Sequence, residues 1–140
     1  MKDYEFKEHT ADIIARAHGH TLEQAFAGAA RAMFDVITGG AMIRPLQEYE
    51  LTVESIDLEG LLVTFLSELI VLHETENVVL DQFQVTIDSD TGLTAICRGE
   101  NFDPARHSNG TQVKGVSYHL MEVVRGEHGK PCHVQVLFDI

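Results

Sequence analysis

Two aspartates near opposite ends of the chain, Asp12 and Asp139, combine residue type and placement in a way that could do chemistry. Asp12 follows His9-Thr10-Ala11 and stands between two apolar segments. Asp139 comes after the alternating Val134, Val136 and Phe138, and Ile140 closes the sequence. A terminal strand with an apolar last residue is expected to dock. It would present the Asp139 carboxylate together with the α-carboxylate of Ile140. All-oxygen donor sets of this kind suit hard cations, Ca2+ and Mg2+ above all. Spacing by itself does not bring residue 12 beside residue 139, and an aspartate at a strand start equally serves as a turn or bulge residue.

The remaining candidates are less complete. Of eight histidines, His18-Gly19-His20 is the tightest pair, with no cysteine or further histidine near it. His73-Glu74-Thr75-Glu76 starts like a zincin helix, but that site needs a second histidine one turn on, where Asn77 stands. Gly115-Val116-Ser117-Tyr118-His119 starts like a nucleophile elbow, and His119 occupies the place of the glycine that permits the strained turn. The two cysteines, Cys97 and Cys132, are too few for a cysteine zinc site and read as reduced, partly buried thiols. The segment from Gly99 to Gly110 is the longest irregular stretch, and such loops are more often functional than short ones. It carries His107 as a candidate contact. Lys114 follows, an isolated lysine in an acidic chain. It serves either as a solvated edge-strand residue or as a contact for an anionic group.

The elements that must hold these residues are read from periodicity. Tyr4 and Phe6 alternate with charged neighbours and predict a strand, and Ile13 to Ala17 predict a second. Thr21-Leu22-Glu23-Gln24 is a capping box that opens a helix with Leu22, Ala25, Phe26, Ala29, Met33, Val36 and Ile37 on one stripe. Gly39-Gly40 ends it. Tyr49, Leu51 and Val53 predict a half-wet strand, and Asp57 caps a second helix running to about His73. Phe83 to Ile87, Leu93 to Arg98, Val113 to Val124 and Cys132 to Phe138 predict four more strands. The expected fold is α+β: one two-layer domain over residues 1–140, its two helices packed on a mostly antiparallel or mixed sheet.

Composition narrows the function. Ten basic against 22 acidic residues give a net charge of −12 over 140 residues. Phosphate-backbone binding depends on lysine and arginine displacing counterions, so direct nucleic-acid binding is not expected. No apolar run is long enough to span a membrane, and Met1-Lys2-Asp3-Tyr4-Glu5 lacks a signal-peptide core, so a cytoplasmic protein is expected. An apolar share of 44% suits a globular chain rather than a disordered one.

Taken in order, several motifs resemble the archease family: Glu8-His9-Thr10-Ala11-Asp12, Thr21-Leu22-Glu23-Gln24-Ala25-Phe26, and the Leu66-Ser67-Glu68-Leu69 helix. Phe102-Asp103-Pro104-Ala105-Arg106-His107, Gly110-Thr111-Gln112-Val113-Lys114-Gly115-Val116-Ser117-Tyr118-His119 and the ending Phe138-Asp139-Ile140 extend the likeness over nearly the whole chain. Gly115 and Ser117 stand where the family commonly has alanine and threonine. The resemblance implies a protein cofactor, not an enzyme in its own right. Its partner would be an RtcB-type RNA ligase of tRNA splicing, whose guanylylation and multiple turnover it would promote. It implies a divalent-cation site, usually calcium with Mg2+ or Mn2+ as alternatives, at Asp12, Asp139 and the main-chain oxygen of Ile140. Lys114, at a family motif position, would support the same end of the molecule, and Lys114, His9 and His107 are the candidate partner or functional contacts. A chaperone-like protein-binding module and a metal-dependent hydrolase are the other classes left open. No complete catalytic set supports the hydrolase.

Overall fold

The computed structural model describes residues 3–9 and 12–140. The chain opens with strands β1 (Tyr4–His9) and β2 (Asp12–Gly19), followed by helix α1 (Leu22–Thr38) and strand β3 (Gln47–Glu54). Helix α2 (Leu58–Glu76) leads into β4 (Val78–Ser89) and β5 (Gly92–Asn101). A single turn, α3 (Pro104–His107), precedes β6 (Gly115–Val124) and β7 (Cys132–Asp139).

The α+β class holds, with the two long helices where periodicity puts them. The expectation of one sheet is corrected. The described strands form a four-stranded sheet in the order β1-β2-β7-β6 and a three-stranded sheet in the order β3-β5-β4. Every pairing among the described strands is antiparallel. The physical reason lies in α1. Ala25, Ala27, Gly28, Ala30 and Ala32 are buried as well as the large residues Phe26 and Met33. A helix buried nearly all round needs cover on more than one side. It packs on β2 and β7 of one sheet and on β4 of the other. Its small residues permit that approach: a Cβ on Gly28 would lie 3.0 Å from Ala17 Cβ. Helix α2 packs chiefly on β6 and also meets β3, β4 and β5.

Local signals explain the boundaries. The Gln24 amide donates to Thr21 Oγ1 at 3.2 Å, and Gln24 Oε1 accepts from the His20 amide at 2.7 Å, one residue before the cap. Gly39 takes the left-handed conformation (φ 71°) that closes α1. Asp57 Oδ1 accepts from the Gly60 amide at 2.7 Å to open α2. That helix continues three residues beyond His73 because Asn77 (φ 54°) supplies the left-handed cap. Strand β4 starts at Val78, earlier than the alternation at Phe83 suggests. Val78, Val79 and Leu80 are all buried, and an irregularity between Leu80 and Gln82 resets the period.

Candidate functional site

Pairing of β2 with β7 places residues from the two ends of the chain side by side. Asp12 stands directly opposite Asp139, and the register continues through Ile14–Leu137, Arg16–Gln135 and His18–His133. Directly opposed residues share a face, with Cβ atoms about 4.5–5.5 Å apart. Two carboxylates therefore project together at one end of the four-stranded sheet. On the other side of β7, Gly115 pairs with Asp139. The Lys114 amide donates to the Asp139 carbonyl at 2.6 Å, so the Lys114 backbone lies beside Asp139, and its side chain is exposed. Ile140 follows Asp139 and is partly buried against the core.

Asp12, Asp139, Ile140 and Lys114 are thus brought together. His9 pairs with Asp12 through β1, but its side chain lies outside the described residues, as do Thr10 and Ala11. His107 does not join them. Its side chain is completely buried, so it offers no surface for direct contact with a partner.

Chemistry decides whether this end fits a cation. Asp12, Asp139 and main-chain oxygen form a hard donor set, in keeping with Ca2+, Mg2+ or Mn2+. Among the described residues no three His, Cys, Asp or Glu side chains come together to hold a metal ion. A cation here would rest on two carboxylates, with main-chain oxygen and water completing the shell. That arrangement fits a cation that keeps part of its hydration.

His107 belongs to a buried polar cluster that composition did not reveal. Glu100, near the end of β5, is 3% exposed and accepts from the Arg44 backbone N at 2.8 Å and from Arg44 Nε and Nη2 at 3.0 and 2.9 Å. Arg106 Nη1 and Nη2 reach it at 3.2 and 2.5 Å. Hydrogen bonds from Arg106 and Arg44 hold the Glu100 carboxyl well below its ordinary value against the opposing effect of burial. The Asp103 amide donates to His107 Nδ1 at 2.8 Å, so the proton of a neutral ring sits on Nε2, which faces Glu100 Oε2 at 3.3 Å. That contact lacks hydrogen-bond geometry, and proximity to the carboxylate is what it contributes.

The cluster folds part of the stretch expected to be irregular. Asp103 caps α3 by accepting from the Ala105 amide at 3.0 Å, with Pro104 in the first turn, where it suits a helix. The chain then seals against the end of α1. Thr111 N donates to Val36 O at 2.9 Å, and a Cβ on Gly110 would come within 2.2 Å of that same oxygen. Val113 is buried, and Lys114 is delivered to Asp139. The one sequence signal for this clasp is Glu100 six residues before Arg106 in a chain with few basic residues.

Two other candidates, His73 and Ser117, make local contacts. His73 Nδ1 lies 2.7 Å from the Val78 carbonyl, and its ring packs edge-on against Phe34 and Phe102. Ser117 lies within β6 and accepts from the His119 amide at 3.0 Å, with no helix after it.

Comparison with known proteins gives consistent results. The family model for the Archease protein family (MTH1598/TM1083) matches residues 4–140. Protein archease of Pyrococcus furiosus is 42% identical over 133 residues, covering 93% of this chain and 94% of the relative. Protein archease of Aeropyrum pernix is 39% identical over 139 residues, covering 96% and 94%. The solution structure of protein 1598 of Methanobacterium thermoautotrophicum superposes with a TM-score of 0.75 at 33% identity over the whole of both chains. A Thermotoga maritima crystal structure, of an archease called a possible chaperone, has a TM-score of 0.64 at 21% identity and shares the fold over 96% of this chain and 94% of its own.

Proposed function

The chain belongs to the archease family, and from that premise we propose that it is the protein activator of an RtcB-type RNA ligase in the cytoplasm. It promotes guanylylation of the ligase and repeated turnover in RNA end joining. The observation that carries this reading is the direct opposition of Asp12 and Asp139 at the end of the four-stranded sheet. In it, Asp12, Asp139 and the main-chain oxygen of Ile140 hold one divalent cation, with Ca2+ the first choice and Mg2+ or Mn2+ the alternatives. A bound cation there would supply charge neutralisation beside triphosphate oxygens.

The protein's own residues present and orient. The paired strands fix the two carboxylates on one rigid face, and Lys114 stands beside them to meet an anionic group. The nucleophile belongs to the ligase. RNA stays with the ligase as well, in keeping with a charge of −12 on this chain.

The test is ligation with a cognate ligase under RNA excess. Wild-type protein should restore multiple turnover, and Asp12→Ala should abolish that effect. Calcium should raise the thermal midpoint of the wild type, by an amount equivalent to about 2.7 kcal/mol at a hundredfold excess over its Kd, and leave the variant unmoved. Undiminished turnover with Asp12→Ala would reject the assignment.

A further inference from the structure

The motif Ser117-Tyr118-His119 has no part in the site above, and the structure gives it unusual treatment. Between Ser117–Leu137 and Glu122–Gln135 the register of β6 against β7 breaks, so that residues 118–121 stand against Val136 alone. An ordinary bulge sets two residues against one. Tyr118 is 60% exposed and Leu120 is 46% exposed. Leu120 adopts a left-handed backbone (φ 59°), which side chains such as leucine rarely take. Strain of this kind persists only where the surroundings impose it.

Here they do. Gln135 is buried beneath the bulge and donates from Nε2 to the Leu120 carbonyl at 2.9 Å. Its Oε1 accepts from Arg16 Nε and Nη2 at 3.1 and 2.9 Å, which fixes which way the amide points. Met121, the last residue of the bulge, packs against the core. Blunting an edge strand would need only a charge or a short bulge. This excursion instead turns an aromatic and an aliphatic side chain outward. The Tyr118 hydroxyl reaches the first turn of α2, where a Cβ on Gly60 would lie 3.4 Å from it. The approach to that turn carries Ile56, which is 88% exposed.

Charge selects the occupant. Asp57 and Glu59 are exposed at the start of α2, whereas Glu122, directly after the bulge, is already paired with Arg16 at 3.4 Å and His133 at 3.1 Å and leaves the rim charge to the helix start. An apolar knob with an acidic rim repels RNA phosphates. It complements a protein face with an apolar depression ringed by lysine and arginine, and arginine stacks well on a tyrosine face. A ligase that grips RNA must carry such basic residues around its substrate channel. The bulge is also continuous with the acid pair, because Gly115 pairs with Asp139 and Tyr118 follows three residues on.

We propose that the Tyr118–Leu120 bulge is a docking knob that seats this protein on a basic, apolar-pocketed face of its ligase partner. This rests on the ligase reading above and supplies the grip that the carboxylate end lacks. The test measures both binding and activity with the full chain and a cognate ligase. Tyr118→Ala and Leu120→Asn, the latter keeping a residue tolerant of the left-handed backbone, should each weaken the ligase Kd about tenfold. Both should raise the concentration for half-maximal stimulation while leaving the plateau unchanged, and Tyr118→Phe should bind like the wild type. Leu46→Ala, at an exposed site on the far end of the three-stranded sheet, should change nothing. Circular dichroism confirms that each variant folds.

Wild-type affinity in both Tyr118→Ala and Leu120→Asn would overturn the knob. Self-association of the wild type that these substitutions abolish, with ligase affinity unmoved, would overturn it too and assign the bulge to a second copy. Tight RNA binding lost with Tyr118→Ala would do the same in favour of RNA. A wild type that binds through Tyr118 without stimulating would reject the activator reading and leave the knob standing. A wild type that does not bind the ligase would reject both.

Discussion

Replacing Glu100 by glutamine should destabilise the protein by about 3 kcal/mol at neutral pH, a figure assembled from the cluster's own geometry. Glu100 receives five nitrogen donors from two arginines. The Arg106 and Arg44 side chains are 37% and 55% exposed, so each ion pair counts for only about 1 kcal/mol after screening. The Arg44 amide, which donates to the same carboxylate, is not relieved by water in the same way. Losing a full-strength acceptor for it adds about 1 kcal/mol. An amide in place of the carboxylate also turns a donor toward a guanidinium. For a domain of this size, about 3 kcal/mol corresponds to roughly a 10 °C lower midpoint.

The pH dependence has a definite sign. The folded-state pKa of Glu100 is lowered from its ordinary 4.5, first by the Arg106 hydrogen bond. Its contribution is therefore complete above about pH 4.5 and is lost progressively as the pH falls below that value. Glutamine has no such titration. Urea unfolding of both proteins between pH 7 and pH 3 should show a gap that is full at neutrality and narrows with acid. Equal stability at pH 7, or a gap that stays constant down to pH 3, would refute the reasoning.

Two further perturbations test neighbouring parts of the argument. Gly110→Ala should destabilise by about 3 kcal/mol, because the added Cβ would meet Val36 O at 2.2 Å and Ile37 O at 2.3 Å, backbone atoms with no room to yield. Denaturant midpoints check this, and a wild-type midpoint would show that the loop does not seal on α1 as described. Cys97 is wholly buried and its thiol is pushed up to about 12 by that burial. It should stay unmodified by iodoacetamide at pH 8 until the protein unfolds, as read by peptide mass; fast native labelling would contradict the packing of β5.

Much of the fold was legible because its signals are local. Thr21, Gly39 and Asp57 act within a few residues, and the helices they bound are found where expected. The division into two sheets was harder to read. It depends on α1 being apolar beyond one stripe, and the alanines at 27, 30 and 32 that show this are weak hydrophobic signals. The clasp at Glu100 was illegible for a related reason. A buried glutamate looks like any of 22 acidic residues until Arg44 is brought to it from 56 positions away. The bulge at Tyr118–Met121 also escaped, because an alternating run from Val113 to Val124 reads as one regular strand. The buried Gln135 that holds it through Leu120 lies on the neighbouring strand, 15 positions away.

The candidate site divides along the same line. Residue types at Asp12 and Asp139 are visible in the sequence, but their meeting is a property of register. Alternation along β7 puts Val134, Val136 and Phe138 on one face and Asp139 on the other. A slip of one residue between β2 and β7 would send Asp139 to the face occupied by Phe138 and separate the two carboxylates. The wholly buried Val134, Val136 and Phe138 make that slip costly, since each would trade the core for the outer face. The acid pair is therefore held together by the apolar residues that alternate with it. The packing of an entire strand thus decides that Asp12 and Asp139 share a face, the one condition the proposed cation site places on the fold.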